Sequence, residues 1–535
     1  MGDYLNAECE IFREGIQSEI YVDKSELIAV TNRYIKTQQK YICISRPRRF
    51  GKSMALSMLS AYYGCDGDTA HLFEDLKICK DATYHTHLNQ YNCIQLNIQE
   101  FLSDTDTVEE MIAEITRFLL DDFKKAYPEV HFRKETSLVW IMKDVYLNTE
   151  RPFIILIDEW DCLFREYEND VDAQKKYLDF LRMWLKDQAY VGLAYMTGIL
   201  PIKKYGSHSA LNMFYEYSMI DPGRFAPFFG FTQEEVRVLC EQYHMSVEET
   251  AAWYNGYEME YKMSSGFVTP LQKIAIYSPK SLVESLKRGK YGTYWNQTET
   301  YEALRTYIQM NLDGLKDAVI VMLSGGSIAI RTGTFINDMT TFVNRDDVLT
   351  LLVHLGYLSY NESDGTVSIP NREVGMEYEN VVRVLPWKEV ANSLHNSQKL
   401  LEGIWNMDSE QVAAGVEQVH QEVSILQYND ENALSYTVGL AFYVAREYYT
   451  IIRELPSGKG FADVCMIPRK LYVDKPALLI ELKWNKTANG AIEQIKKKNY
   501  PVALQEYQGN LLLVGINYDK DRKKHSCTIE NCTFG

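Results

Sequence analysis

No stretch of this sequence is apolar for long enough to cross a bilayer, which excludes a helical membrane span. Residues Met1 to Glu8 lack a basic region followed by an apolar core, so no secretory leader is expected. Gly2 has Asn6 rather than Ser or Thr four residues on, which leaves no myristoylation signal. The ten cysteines are scattered and form no Cys-x-x-Cys pair. Cys527 and Cys532 lie closest, and no second pair or histidine cluster completes a zinc site. They read as small buried apolar side chains in a reducing cytosol. The ten histidines, His354, His420 and His525 among them, show no metal-ligand spacing and read as surface or packed residues. No Gly-x-Ser-x-Gly elbow occurs, so a serine hydrolase has no support. Positive charge is also in deficit: 56 Lys and Arg face 73 Asp and Glu, a net −17. That balance excludes a broad nucleic-acid-coating surface and leaves room for a local basic groove.

What is present is a 535-residue chain, 46% hydrophobic and 13% aromatic, with 38 Tyr. The length exceeds one core and implies two to four domains; the aromatic content argues against long disordered regions. Basic residues cluster at Arg46, Arg48 and Arg49, at Lys496–Lys498, and at Lys520, Arg522, Lys523 and Lys524. The last two clusters read equally well as solvated faces.

From about 40 to 200, short apolar runs alternate with amphipathic segments. Tyr41–Ser45, Cys93–Ile98, Phe153–Ile157 and Val191–Thr197 read as buried parallel strands. Ser53–Tyr63, Val108–Phe123 and Gln174–Gln188 read as the helices between them, which implies an α/β domain. Thr232-Gln233-Glu234-Glu235 reads as a capping box, after which helical patterns dominate to about 400. There, Asp346–Leu358 followed by Gly365–Pro370 reads as a helix and hairpin, a winged-helix-like module. The last unit reads as helix Glu431–Ile452, strand Gly460–Ile467, strand Ala477–Lys483, helix Ala488–Leu504 and strand Leu511–Ile516. The expected domains are 1–235, 236–400 and 401–535.

Tyr41–Ser45 runs into Arg46-Pro47-Arg48-Arg49-Phe50-Gly51-Lys52-Ser53 and then a helix. A phosphate loop needs this context: amides at a helix N-terminus face the phosphates, a Lys reaches the outer ones, and a Ser hydroxyl ligates magnesium. The general pattern has Gly where this chain has Arg46. Phe153–Ile157 then ends in Asp158 and Glu159, with Asp158 placed to support magnesium and Glu159 to polarise an attacking water. Thr197, at the end of a strand, stands where a polar side chain would touch the terminal phosphate. Arg49, Gly51, Lys52, Ser53, Asp158 and Thr197 are the expected nucleotide contacts, and Arg224 could reach a phosphate from the end of this domain.

Near the C-terminus, Ala477–Lys483 is a buried-strand pattern that ends in charge. Period 2 puts Glu481 and Lys483 on one face, a costly placement unless the charges are paired or used. A hairpin with Gly460–Ile467 would bring Asp463 beside Glu481. Asp463 and Glu481 would then hold Mg²⁺, and Lys483 would orient water and stabilise developing charge, as phosphodiester hydrolysis requires. Glu431 could add a carboxylate. The element order, with Gly458-Lys459-Gly460-Phe461-Ala462-Asp463 and Glu481-Leu482-Lys483-Trp484, matches the PD-(D/E)XK core, and Gln494 resembles a glutamine that often lines such sites.

Tyr21-Val22-Asp23-Lys24-Ser25, the Arg46–Ser53 loop, Ile157-Asp158-Glu159-Trp160-Asp161 and Thr197-Gly198-Ile199 together resemble the AAA-ATPase-like family of bacterial proteins. Phe229–Val236 and Trp253-Tyr254-Asn255-Gly256-Tyr257 are similar to it as well. The resemblance covers nearly the whole chain and makes an arginine-rich loop usual. It implies a P-loop domain, a helical middle and a C-terminal PD-(D/E)XK nuclease-like domain of restriction-endonuclease-like α/β fold. The expected activity is ATP binding coupled to Mg²⁺-dependent cleavage of nucleic acid, DNA ahead of RNA, in the bacterial cytoplasm, with a defence or mobile-element role by analogy. The alternative is a non-catalytic ATP switch whose nuclease-like domain only binds nucleic acid or a partner. A homo-oligomer is expected where hydrolysis needs a neighbour's arginine, and the acidic surface leaves room for a protein partner.

Overall fold

The computed structural model describes the chain outside residues 1, 203–210, 262–271, 296–299, 311, 313, 338, 423–430, 458–459, 498–503, 505–506, 508 and 533–535. The chain divides into two compact units, each discontinuous in sequence. One comprises Met1–Val247, Asn255–Lys290 and Ala329–Val367, and the other Glu248–Tyr254, Tyr291–Ile328 and Ser368–Gly535.

In the first unit, β1 (Tyr41–Ser45), α1 (Lys52–Tyr63), β2 (Asn92–Asn97), α2 (Val108–Ala126), β3 (Phe153–Asp158), α3 (Cys162–Glu166), α4 (Val171–Leu185), β4 (Val191–Gly198) and β5 (Tyr215–Tyr217) follow in order. The strands form one parallel sheet in the order β2-β3-β4-β1-β5. Their alternation explains the near-continuous apolar runs. Tyr41, Cys43, Ile155, Ile157, Ala194 and Met196 enter the core under α2 and α4. Ile42, Ile44, Ile154, Leu156, Leu193 and Tyr195 enter the core under α1. A sheet buried on both faces has no polar side to show. Because every strand is parallel, β1, β3 and β4 all end at one edge, where loops build a site.

The expected helix at Gln174–Gln188 lies three residues earlier, at Val171–Leu185. Asp170 caps it by accepting from Ala173 N at 2.9 Å, and Lys186 is already extended. The capping box at Thr232 forms on α5 (Gln233–Gln242): Thr232 Oγ1 accepts from Glu235 N at 3.4 Å, and Thr232 N donates to Glu235 Oε2 at 2.7 Å. The same carboxylate accepts from Lys24 Nζ at 2.7 Å, tying the N-terminal segment to this helix. Further on, α6 (Arg345–Leu355) stops at Gly356, whose φ of 86° few other residues adopt, and a hairpin of Ser359–Asn361 and Thr366–Ser368 follows. A helix and a hairpin are present there, the helix ending at Leu355 rather than Leu358 and the hairpin starting six residues earlier than Gly365.

In the second unit, α7 (Ser409–Glu422) and α8 (Glu431–Ala441) precede β6 (Tyr449–Ser457), β7 (Gly460–Pro468), β8 (Ala477–Trp484), α9 (Ala488–Lys497), β9 (Leu511–Asp519) and β10 (Lys524–Asn531). The sheet runs β6-β7-β8-β9-β10, antiparallel except for β8 and β9. The helix expected to Ile452 ends at Ala441, and β6 begins at Tyr449. Tyr449, Thr450, Ile451 and Ile452 favour a pleated surface, and pairing with β7 takes them. The helix α9 crosses β8 and β9 so closely that a Cβ on Gly515 would stand 2.3 Å from Ala488 O.

Two of the histidines without sequence spacing meet in space. His420 and Glu417 on α7 converge with His525 on β10, where Glu417 Oε2 accepts from His525 N at 2.9 Å and also from its Nδ1. Burial, reinforced by the neighbouring His525 and opposed by Glu417, lowers His420 from its ordinary 6.5 to about 4.

Two expectations follow from this packing. Gly515→Ala should lower the stability measured by denaturant unfolding by roughly 1–3 kcal/mol, because the added methyl meets backbone that cannot turn aside. The unfolded chain takes up a proton on His420 from about pH 6.5 downward while the folded protein refuses it until about pH 4. Stability should therefore fall as pH drops through that window, and a thermal-melt series from pH 7 to 5 should be flatter in His420→Gln.

Candidate functional sites

At the edge of the parallel sheet, Gly51 caps α1 with φ 87°, and nothing lies within 4 Å of where its Cβ would be. The open space above the amides at the start of α1 is what a phosphate needs. Arg49 shares the left-handed backbone, with φ 69°. Lys52 is buried, and its ammonium donates to Arg46 O and Pro47 O, each at 3.0 Å. Burial lowers its pKa, against the raising effect of Glu159 and Asp158. Ser53 Oγ donates to Asp158 Oδ2 at 2.5 Å, and Thr197 Oγ1 donates to Asp158 Oδ1. The hydroxyl and carboxylate are hard oxygen donors brought together from α1 and β3, a set that fits Mg²⁺.

Arg46, where the general pattern has Gly, turns away from the loop. Its Nη1 donates to Ser45 O at 2.8 Å and Tyr217 O at 2.9 Å, and its guanidinium stacks over Phe229 at 5.5 Å. Burial lowers its pKa to about 10. The side chain thus occupies the core and leaves only backbone to face a ligand.

Glu159 follows Asp158 with φ 50°, and burial raises its pKa despite the charges of Arg165 and Lys52. Its carboxylate pairs with Arg165 on α3, whose Nε also lies 3.6 Å from Asp161 Oδ2. Asp161, fully buried, accepts from Ile199 N at 3.0 Å and Leu200 N at 2.8 Å, which locks the turn after β4. Arg165 was missed in sequence; its four-residue spacing from Asp161 was the available signal. Arg224 sits over the Tyr34 ring at 5.7 Å.

On the second sheet, the β7–β8 register pairs Val464 with Ile480, so Asp463 and Glu481 stand one step beyond the pair. Asp463 Oδ2 accepts from Leu482 N at 2.6 Å. Glu481 is 1% exposed, and its Oε1 accepts from Lys483 Nζ at 3.0 Å and from Gln494 Nε2 on α9. The same-face placement of Glu481 and Lys483 is therefore realised as a buried ion pair, with Lys483 7% exposed. Asn517, opposite Lys483 in the parallel register, accepts from Lys486 N at 2.9 Å and fixes the end of β8. Two carboxylates, a lysine and a glutamine amide thus meet at one strand end, a donor set suited to a hard cation. Glu431 opens α8, but its side chain lies outside the described residues, as do Gly458, Lys459 and Lys498. Of the flanking basic clusters, Lys496 pairs with Glu530, and Arg522 lies 3.8 Å from Asp519, as solvated faces do.

Two family models match the chain. Residues 10–207 match the AAA-ATPase-like model, described as a predicted AAA-ATPase, and residues 429–527 match that of the PD-(D/E)XK nuclease superfamily. A protein of Azotobacter chroococcum mcd 1, described as an uncharacterized protein in the vnfD 5' region, is 23% identical over 297 residues. That match covers 54% of this chain and 52% of the relative, so it spans about half of that protein's length. Among solved structures, the ORC2 protein of Aeropyrum pernix is similar at a TM-score of 0.30 and 9% identity, over 68% of this chain and 96% of that one. Cdc6p from Pyrobaculum aerophilum is similar at 0.23 and 10%, over 71% and 99%. The chain thus joins an AAA-ATPase-like domain, over residues 10–207, to a C-terminal domain of the PD-(D/E)XK nuclease superfamily, over residues 429–527.

Proposed function

We propose that this protein binds ATP at the Gly51–Ser53 loop and cleaves phosphodiester bonds of nucleic acid, DNA ahead of RNA, at Asp463, Glu481 and Lys483, with nucleotide state governing cleavage. What carries this is the convergence of Asp463, Glu481, Lys483 and Gln494 at one buried strand end. Residues 1–235 would form the ATPase module, 236–400 the connecting module and 401–535 the nuclease module.

At the nuclease centre, Asp463 and Glu481 would hold Mg²⁺, which when bound polarises phosphate and lowers the pKa of water. Lys483 is held on the same face by Glu481 and would orient the attacking water and oppose the charge that develops on the phosphate. Gln494 fixes the rotamer of Glu481 from α9. At the nucleotide centre, Ser53 and Asp158 would hold the magnesium of MgATP. Lys52 would leave the carbonyls of Arg46 and Pro47 for the phosphates. Glu159 would polarise water once it parts from Arg165. The proposed setting is a bacterial cytoplasm, with a homo-oligomer or a protein partner completing the assembly.

The test is cleavage of mixed DNA and RNA substrates with Mg²⁺ or Mn²⁺, with and without ATP. Glu481→Ala should lose on the order of 10²–10³ in rate, the usual loss when a group acting on transition-state charge is removed. Lys52→Ala should abolish the response to ATP and leave the metal dependence intact. If the wild type binds ATP yet cuts nothing, the protein is a non-catalytic switch instead; if Glu481→Ala cuts as fast as the wild type, the cleavage centre is not at Glu481. Arg46→Gly, though it restores the general loop residue, should destabilise the fold by roughly 2–4 kcal/mol in denaturant unfolding. It empties a core position and strands the Tyr217 carbonyl.

A further inference from the structure

The second unit contains a cavity of about 870 Å³ that neither proposed activity uses. Its floor is one face of the β6–β7 hairpin, with Ile451 and Arg453 from β6 and Val464 and Met466 from β7. Arg453 pairs directly with Val464, and directly paired residues share a face, so both point away from the face that carries Asp463. The cavity is therefore behind the nuclease sheet.

Two arginines meet there. A Cβ on Gly325 would stand 3.0 Å from Arg446 Nη2 and 3.4 Å from Arg453 Nη2, so both guanidiniums crowd one glycine. Arg453 donates through Nη2 to Ser324 O and through Nη1 to Ser435 Oγ at 3.4 Å. Arg446 lies over the Tyr443 ring at 4.5 Å, and its buried Nη1 has no hydrogen-bond partner among the described residues. The other cavity arginines are neutralised: Arg383 by Glu379, Arg469 by Glu249 at 2.5 Å, and Arg372 with Glu249 at 3.8 Å. Among the described residues, no carboxylate comes within ion-pair distance of Arg446 or Arg453. Burial lowers the pKa of both, and Arg446 lowers that of Arg453 further, as adjacent like charges must.

Guanidinium stays charged; Glu379 opposes the repulsion at Arg446 only from beyond ion-pair distance, and an anion held between the two arginines would relieve it further. Two planar forks around one point match the oxygens of a phosphate group. The volume far exceeds an inorganic ion, and Phe442, Met322, Met466 and Tyr443 line the remainder with apolar and aromatic surface. We propose that this cavity binds a nucleoside phosphate, with Arg446 and Arg453 holding the phosphate and the apolar wall holding the nucleoside. A ligand there would brace the strands that carry Asp463 without entering the cleavage site, and its binding does not depend on either proposed activity.

The test uses the full chain carrying Lys52→Ala, so that the phosphate loop does not contribute, in EDTA to keep metal from both centres. Calorimetric titrations would use inorganic phosphate, a nucleoside 5'-monophosphate, a dinucleotide and ATP. At least one nucleoside phosphate should bind more tightly than inorganic phosphate. Arg446→Gln and Arg453→Gln should each weaken it by roughly tenfold or more, as loss of a charge-assisted hydrogen bond does. In phosphate-free buffer, Arg446→Met should melt no lower than its parent, because an unpaired buried charge is gone, and the ligand should raise the melting temperature of the parent alone. Absence of binding at millimolar ligand, or unchanged affinity in both Gln variants, overturns the site. Inorganic phosphate binding as tightly as every nucleoside phosphate overturns the nucleoside assignment. A lower melting temperature for Arg446→Met in phosphate-free buffer overturns the claim that the arginine lacks a partner.

Discussion

Charge taken out of water at the end of a strand costs several kcal/mol per ion unless a partner meets it. That cost organises both centres. Asp158 ends a fully buried strand and is met by two hydroxyls, from Ser53 and Thr197. Glu481, on β8, is met by Lys483 from the same strand and by Gln494 from α9. In each case at least one partner comes from another element, so the charge is fully accommodated only when both elements are in place. The geometry that chemistry would use is thus the geometry that folding must reach to avoid an uncompensated carboxylate.

The same constraint bears on two arginines, fully at Arg165 and in part at Arg46. Arg46 Nη1 satisfies the Ser45 and Tyr217 carbonyls from inside the core, while its buried Nε and Nη2 have no hydrogen-bond partner among the described residues. Arg165 compensates both Glu159 and buried Asp161. Without it, Glu159 would be left to Lys52 and buried Asp161 to the Ile199 and Leu200 amides alone.

The parallel sheet was legible because strands buried on both faces leave a continuous apolar signature, and β1 falls where its five residues placed it. Glu481 and Lys483 were legible because two charges on one face of an apolar strand have few explanations. Less was visible where local preference was divided. Tyr449–Ile452 continues the apolar pattern of α8, and only pairing with β7, a tertiary event, makes it a strand. The cluster of Glu417, His420 and His525 was hidden because His525 is about a hundred residues from the other two and meets them only when α7 packs on β10. Arg165 had only its four-residue spacing from Asp161 as a signal, and Arg446 and Arg453 had none, because an arginine carries no sign in sequence of what it will face.

The two hydrogen bonds from Lys52 to the carbonyls of its own loop act as a built-in competitor. Any phosphate that engages this lysine must first displace contacts already made, and apparent affinity falls by the fraction of time the ammonium is free. At roughly 1.5–3 kcal/mol for a hydrogen bond to a charged group, that discount reaches one to two orders of magnitude. A weakly bound single phosphate would rarely meet the cost, whereas a polyphosphate spreads it over further contacts to the loop amides. The resting loop would in that sense set a threshold against small anions.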